Sequence, residues 1–223
     1  VVDVTTTNGN ITIGKAWTSN CKWNDDRTKV DEDNTGSVSG TLALRSTYGD
    51  ITVNEYNGDA WVTNKRGKIN ISQSKSFATD VKTRIETDRG HVEANNLHGE
   101  VTAVATGSAN MSLSFYGLNK SYTGAAIVSN ITIGSGSLDI KVPTVSTDTA
   151  DFAVYADIKE GGKLDKKSAG SLDASHNAGT AKWIKGAAAG SDGATVDSAF
   201  KYQFKVTVNG GYASFDEPAV QYN

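Results

Sequence analysis

Gly49-Asp50-Ile51-Thr52-Val53, Gly58-Asp59-Ala60-Trp61-Val62 and Gly67-Lys68-Ile69-Asn70-Ile71 are three copies of one short pattern, set nine residues apart. A glycine is followed by one polar residue and then by two apolar residues that flank a third position. Side chains alternate faces with period two along a strand, so each copy reads as a strand with one buried side. Gly40 begins the series, and Gly90 and Gly99 resume it after a 23-residue gap, two nine-residue steps plus five. The pairs facing inward are Leu42 and Leu44, Ile51 and Val53, Ala60 and Val62, Ile69 and Ile71, Val92 and Ala94, and Val101 and Ala103. Gly40, Gly49, Gly58, Gly67, Gly90 and Gly99 are therefore structural repeat positions.

The same signature extends outward in both directions, to Gly9-Asn10-Ile11-Thr12-Ile13 and to Asn130-Ile131-Thr132-Ile133 and Gly136-Ser137-Leu138-Asp139-Ile140. Inside the gap, Val81, Thr83, Ile85 and Thr87 alternate with Asp80, Lys82, Arg84, Glu86 and Asp88, which hides another strand with a solvated charged face. Residues 72 to 78 are expected to loop out, because an insertion at a corner costs little. β-branched residues dominate, and no segment carries an apolar stripe of 3.6-residue period over three turns.

The fold class is thus all-β, read as a single-stranded β-helix or β-solenoid; the alternative is an antiparallel β-sandwich or meander. Turn chemistry separates the two. The residues before the repeat glycines are Ser39, Tyr48, Asn57, Arg66, Arg89 and His98, and only Asn57 suits a tight hairpin. Solenoid corners, where glycine meets positive φ or a close neighbouring backbone, fit better. With only 2 prolines the strands also keep their N–H donors.

One domain, 1–223, is expected. It divides into an N-terminal strand and acidic excursion (1–36), a repeat body (37–160), a Gly/Ser/Ala-rich segment read as a mobile loop (161–198), and strands over 199–223. The last group, with Phe200, Tyr202, Phe204, Val206, Val208, Tyr212 and Phe215, is expected to cap an open end.

Composition removes several function classes. Counting glycine and leaving out tyrosine, about 44% of residues are apolar, as in ordinary globular chains. The net charge of −3, from 22 basic and 25 acidic residues, offers no basic stripe, so nucleic acid is not an expected partner. The longest apolar runs, such as Ala125-Ala126-Ile127-Val128, fall far short of the ~18–20 residues of a transmembrane helix. Cys21 stands alone, so neither an internal disulfide nor a CxxC site is expected. The chain opens at Val1 without a basic and apolar leader, which is compatible with export after processing.

The repeat resembles a bacterial adhesin-like domain family, formally a domain of unknown function, whose members carry G-D-I-x-V units at about this spacing. Gly90-His91-Val92-Glu93-Ala94 and the closing Asn209-Gly210-Gly211-Tyr212-Ala213-Ser214 add to the likeness, which covers residues 36 to 160 and, loosely, the last 24. The resemblance implies a right-handed β-helix on an exported bacterial protein with a cell-surface role, bound to a surface glycan or protein. It carries over no catalytic or binding residue.

Asp31-x-Asp33-x-Thr35-Gly36 has the oxygen spacing that opens a calcium loop, but position twelve would be Leu42 and no helices flank it. A solvated acidic loop is the simpler reading. The tandem glycines of calcium-binding nonapeptide rolls are missing. His91 and His98 fall at related places beside repeat glycines and are expected at exposed corners, where adjacent coils could bring them together; His176 is the third histidine. Two imidazoles do not complete a zinc site. No cofactor is expected and no catalytic residue stands out. An enzyme acting on polysaccharide through paired carboxylates is the low-ranking alternative, and end-to-end self-association a further one. Trp61, out of phase with Ala60 and Val62, should point outward and, with Tyr56, form a ligand platform; packing beneath a loop is the plainer alternative. Asn10, Asn70, Asn110, Asn119 and Asn130 begin N-x-S/T triplets, which are frequent by chance in such a composition.

Overall fold

The computed structural model describes residues 2–17, 22–23, 30–31, 41–74, 81–116, 124–141, 152–166, 177–185 and 202–216. All of their regular structure is strand: β1 (Val2–Asn8), β2 (Ile11–Trp17), β3 (Lys22–Trp23), β4 (Val30–Asp31), β5 (Thr41–Tyr48), β6 (Ile51–Asn57), β7 (Asp59–Gln73), β8 (Lys82–Leu97), β9 (Glu100–Phe115), β10 (Ile127–Lys141), β11 (Phe152–Lys166), β12 (Asn177–Lys185), β13 (Tyr202–Val208) and β14 (Gly211–Asp216). Twelve of them join one sheet. Apart from β3 with β4 and β11 with β12, every described pairing is parallel, which overturns the antiparallel alternative. Parallel neighbours cannot be joined by tight hairpins, so the nine-residue interval does not mark hairpins.

The repeating object is a rung of two arms meeting at a corner. In β7 the first arm buries Ala60, Val62 and Asn64 and the second buries Ile69, Ile71 and Gln73. The buried parity changes from even to odd across Gly67, whose φ is 133°, because the chain turns there and keeps the same side inward. Each nine-residue step is therefore one arm and its corner. Gly49, Gly67 and Gly90 occupy the corner within successive rungs, while Gly58 and Gly99 occupy the corner leading to the next; all five have positive φ. Gly40 lies outside the described residues.

Register holds from rung to rung. Val4, Leu44, Val62, Ile85, Ala103 and Ile131 form one buried or half-buried column, and Ile11, Ile51, Ile69, Val92, Met111 and Leu138 another. All six apolar pairs expected to face inward are buried, as are Val81, Thr83, Ile85 and Thr87. Corner glycines make the spacing attainable. A Cβ on Gly90 would lie 2.1 Å from the Gly67 carbonyl oxygen, and one on Gly67 would lie 2.5 Å from that of Gly49. Neither overlap can be relieved without moving backbone.

Polar atoms complete the corners. Asn10 Oδ1 accepts from the Asp50 N–H at 2.9 Å, Asp50 Oδ1 from the Lys68 N–H at 2.7 Å, and Asp59 Oδ1 from the Lys82 N–H at 2.7 Å. The Asp of the G-D-I-x-V pattern thus ties a corner to the next rung. Fully buried Asn64 donates through Nδ2 to the Gly49 carbonyl at 2.7 Å and accepts from the Arg66 N–H at 3.0 Å.

Three expectations need correction. Strands 199–223 do not cap an end: β13 lies between β10 and β11, and β14 pairs with the same two strands, because a strand apolar on its inner face can fill an interior rung as well as a terminal one. Residues 161–166 and 177–185, expected to be loop, are strand, since parallel and antiparallel pairing satisfies their backbone despite the small side chains. Ser72 and Gln73, expected within a looped-out segment over 72–78, instead end β7. The repeat expected at Gly9–Ile13 is present, and Val2–Trp17 forms a two-arm rung paired with β5 and β6. Residues 75–78 of the 72–78 segment and most of the acidic excursion lie outside the described residues.

Candidate functional site

Trp61 lies on the outward side of the first arm of β7, as its phase requires. The neighbouring rungs determine its surroundings. Arg45 of β5 holds its guanidinium carbon 5.1 Å from the indole centroid, and Arg84 of β8, on the other side, holds its own at 5.4 Å, both within cation–π range. Each guanidinium has a carboxylate partner: Arg45 donates to Asp3 Oδ1 at 2.9 Å, and Arg84 donates through Nε to Glu86 Oε1 at 2.7 Å. Trp61 Nε1 is buried and has no hydrogen-bond partner among the described residues. The indole is therefore not a bare stacking plate. It is the centre of a five-residue cluster, aromatic in the middle and charge-paired at both sides, carried on rungs locked in register.

Tyr56 does not share this surface, and its place in the expected platform is corrected. A register irregularity between Val53 and Tyr56 shifts the phase of β6, so Glu55 turns out and Tyr56 turns in, leaving the phenol 1% exposed. Its hydroxyl pairs with Thr83 Oγ1 at 2.9 Å, and burial pushes the phenol's pKa well above its usual value. Glu55 instead meets Lys15 Nζ at 3.0 Å, and that hydrogen bond holds its carboxyl below the usual range.

The two histidines also separate. His91 lies in the second arm of β8 and His98 directly follows its last residue, seven positions on, so up to about 23 Å of chain lies between them. His91 is exposed, whereas His98 is buried at the corner leading to β9. The His98 N–H donates to Gln73 Oε1 at 2.9 Å, and its Nδ1 lies 3.1 Å from the Asn96 carbonyl oxygen. Desolvation lowers the imidazole pKa, since the cation would lose water. Asn96, the one non-glycine residue with positive φ (56°) among the described residues, anchors this corner through Nδ2 to Ser72 Oγ at 3.1 Å. A small cavity beside His98, with room for about one water molecule, is lined by Phe115, Ser129, Tyr202, Gln203 and Phe204 among others. The periodicity hid this cluster because His98 precedes a corner glycine, where the strand phase is not defined.

Among the described residues, no three His, Cys, Asp or Glu side chains gather as a metal ion would require. Of the calcium candidates, Asp33 and Thr35 lie outside the described residues and Asp31 is described only as the end of β4. The charged outer face of β8 is paired: Lys82 with Glu100 at 3.8 Å, Arg89 with Asp88 at 3.7 Å, and Arg84 with Glu86. Comparison with protein-family models, curated proteins and solved structures finds no match to this chain.

Proposed function

We propose that the chain is a right-handed β-solenoid acting as a non-enzymatic, surface-binding scaffold of an exported bacterial protein, of the adhesin-like kind its repeats resemble. The observation that carries the reading is the Trp61 face. Its indole edge, two guanidiniums and two carboxylates stand on in-register rungs, so the binding groups are ordered before any partner arrives and lose little entropy on contact. Such a surface suits a glycan or protein that offers hydroxyl, amide or carboxylate groups together with an apolar patch. Nothing in this reading calls for a cofactor, a metal or nucleic acid.

Glycan and matrix-protein arrays, with fractionation of the native cell, test it. The expected outcome is binding that weakens at least about tenfold in Trp61→Ala and Arg84→Ala, with the melting temperature nearly unchanged. Residence in the cytoplasm together with silence on every array overturns it. If both variants lower the melting temperature and leave binding intact, the cluster is a structural clasp and the binding face lies elsewhere.

A further inference from the structure

Order in space departs from order in the chain at one place. β13 pairs with β10 over Ile127–Ile133 and with β11 over Phe152–Ile158, while β14 pairs with Ser137–Lys141 and with Gly162–Lys166. β11 pairs with β12, β13 and β14 and with no other strand among the described residues, so the β11–β12 unit joins the stack through an inserted rung. That rung is fitted in detail. Tyr202, Phe204, Val206, Val208, Ala213 and Phe215 are buried. Phe204 meets Phe115 of β9 edge to face at 4.7 Å and Phe152 of the adjoining β11 at 5.9 Å. At the corner, a Cβ on Gly211 would lie 2.4 Å from the Gly136 carbonyl oxygen. The slot thus selects a two-armed strand with alternating apolar residues and a corner glycine, and this chain carries such a strand near its own C-terminus.

Nothing in the local connectivity assigns that strand to its own slot. β12 ends at Lys185 and β13 begins at Tyr202, so sixteen residues (201 − 186 + 1) join them, and sixteen residues can span up to about 55 Å when extended. We propose that the slot between β10 and β11 is an acceptor site for the C-terminal rung, residues 202–216, of a second copy of this chain, and that the protein self-associates by reciprocal exchange of this rung. The exchanged rung makes the same hydrogen bonds and ring contacts as its own would, so concentration and the length of the connection decide between monomer and dimer. The proposal rests on strand order alone and is independent of the surface-binding reading.

The test refolds a mixture of donor-labelled and acceptor-labelled full-length chains at low and at high concentration, alongside a chain shortened by ten residues within 186–201. Exchange gives energy transfer and a dimer on gel filtration, with the dimer fraction at least about tenfold higher in the shortened chain at equal concentration. In a second measurement, full-length protein with a protease site placed in 186–201 is cut while folded and offered a labelled peptide of residues 199–223. Uptake of this peptide, and refusal of the same peptide carrying Gly211→Val, supports the acceptor site. Full-length and shortened chains that stay monomeric at every concentration overturn the proposal. So does a cut protein that takes up both peptides alike or neither.

Discussion

From Thr41 to Phe115 each rung stacks on the one before it in the chain, whereas from Ile127 onward the chain leaves a rung's width open and fills it last. In the first region, paired residues such as Ala60 and Thr83 are 23 positions apart; in the second, Ile127 pairs with Tyr202, 75 positions away. Both regions use the same materials: buried alternation, a corner glycine and parallel hydrogen bonds. They differ in loop-closure entropy, which the second must overcome before its contacts form. A repetitive stack can therefore be built additively in one part and depend on a single late strand in another.

The sharpest way to break this contrast is Phe204→Ala, expected to cost about 3–5 kcal/mol as a buried aromatic truncation. Hydrogen exchange should show β11 to β14 losing protection while β5 to β9 keep theirs. Protection lost evenly along the stack would mean that the regions are one cooperative unit. Next comes Gly90→Ala in the additive region, which forces a Cβ to 2.1 Å from a carbonyl oxygen at a φ of 146°. A loss on the order of 3 kcal/mol in urea denaturation is expected. Gly14→Ala, where a Cβ meets nothing within 4 Å, should stay within about 0.5 kcal/mol and serves as its control.

His98 sits where the regions meet, beside Phe115 of β9 and Tyr202 of β13. The other residues lining its cavity are uncharged, and Tyr202 is the only other titratable one. Burial lowers the folded-state pKa below the ordinary value of 6.5, so the unfolded chain takes up the proton first. Stability attributable to His98 is then complete above pH 6.5 and is lost as pH falls from there through the lowered folded value. His98→Gln should flatten this part of the stability profile; an unchanged slope between the two proteins would remove His98 as its source. Apart from the Gly14→Ala control, the smallest expected effect belongs to Asp50→Ala, which leaves the Lys68 N–H to water at an exposed corner and should cost about 0.5–1 kcal/mol by thermal melts. A much larger loss would show that corner caps, and not only the glycines, hold the additive region together.

Much of the scaffold was legible because its determinants are local. The alternation at Ile51 and Val53 announced a buried face, and the phase of Trp61 placed it outward. Tyr56 was misplaced because a bulge changes phase within a strand, and no residue type in Asn54-Glu55-Tyr56 marks it. The neighbours of Trp61 were not legible either: Arg45 and Arg84 lie 16 and 23 positions away in sequence, and only rung register brings them over the ring.

By itself, the amino-acid sequence determined which positions turn inward, where the corners fall and that the chain is all-β, since period-two alternation and glycine's access to positive φ act over a few residues. Tertiary structure alone decided the order of the last rungs and the placing of β13 and β14 between β10 and β11. The physical reason is that every rung offers its neighbours the same row of N–H and C=O groups and the same apolar face. A pattern shared by all rungs cannot name its partner; side-chain fit does, as where Phe204 meets Phe115 and Phe152.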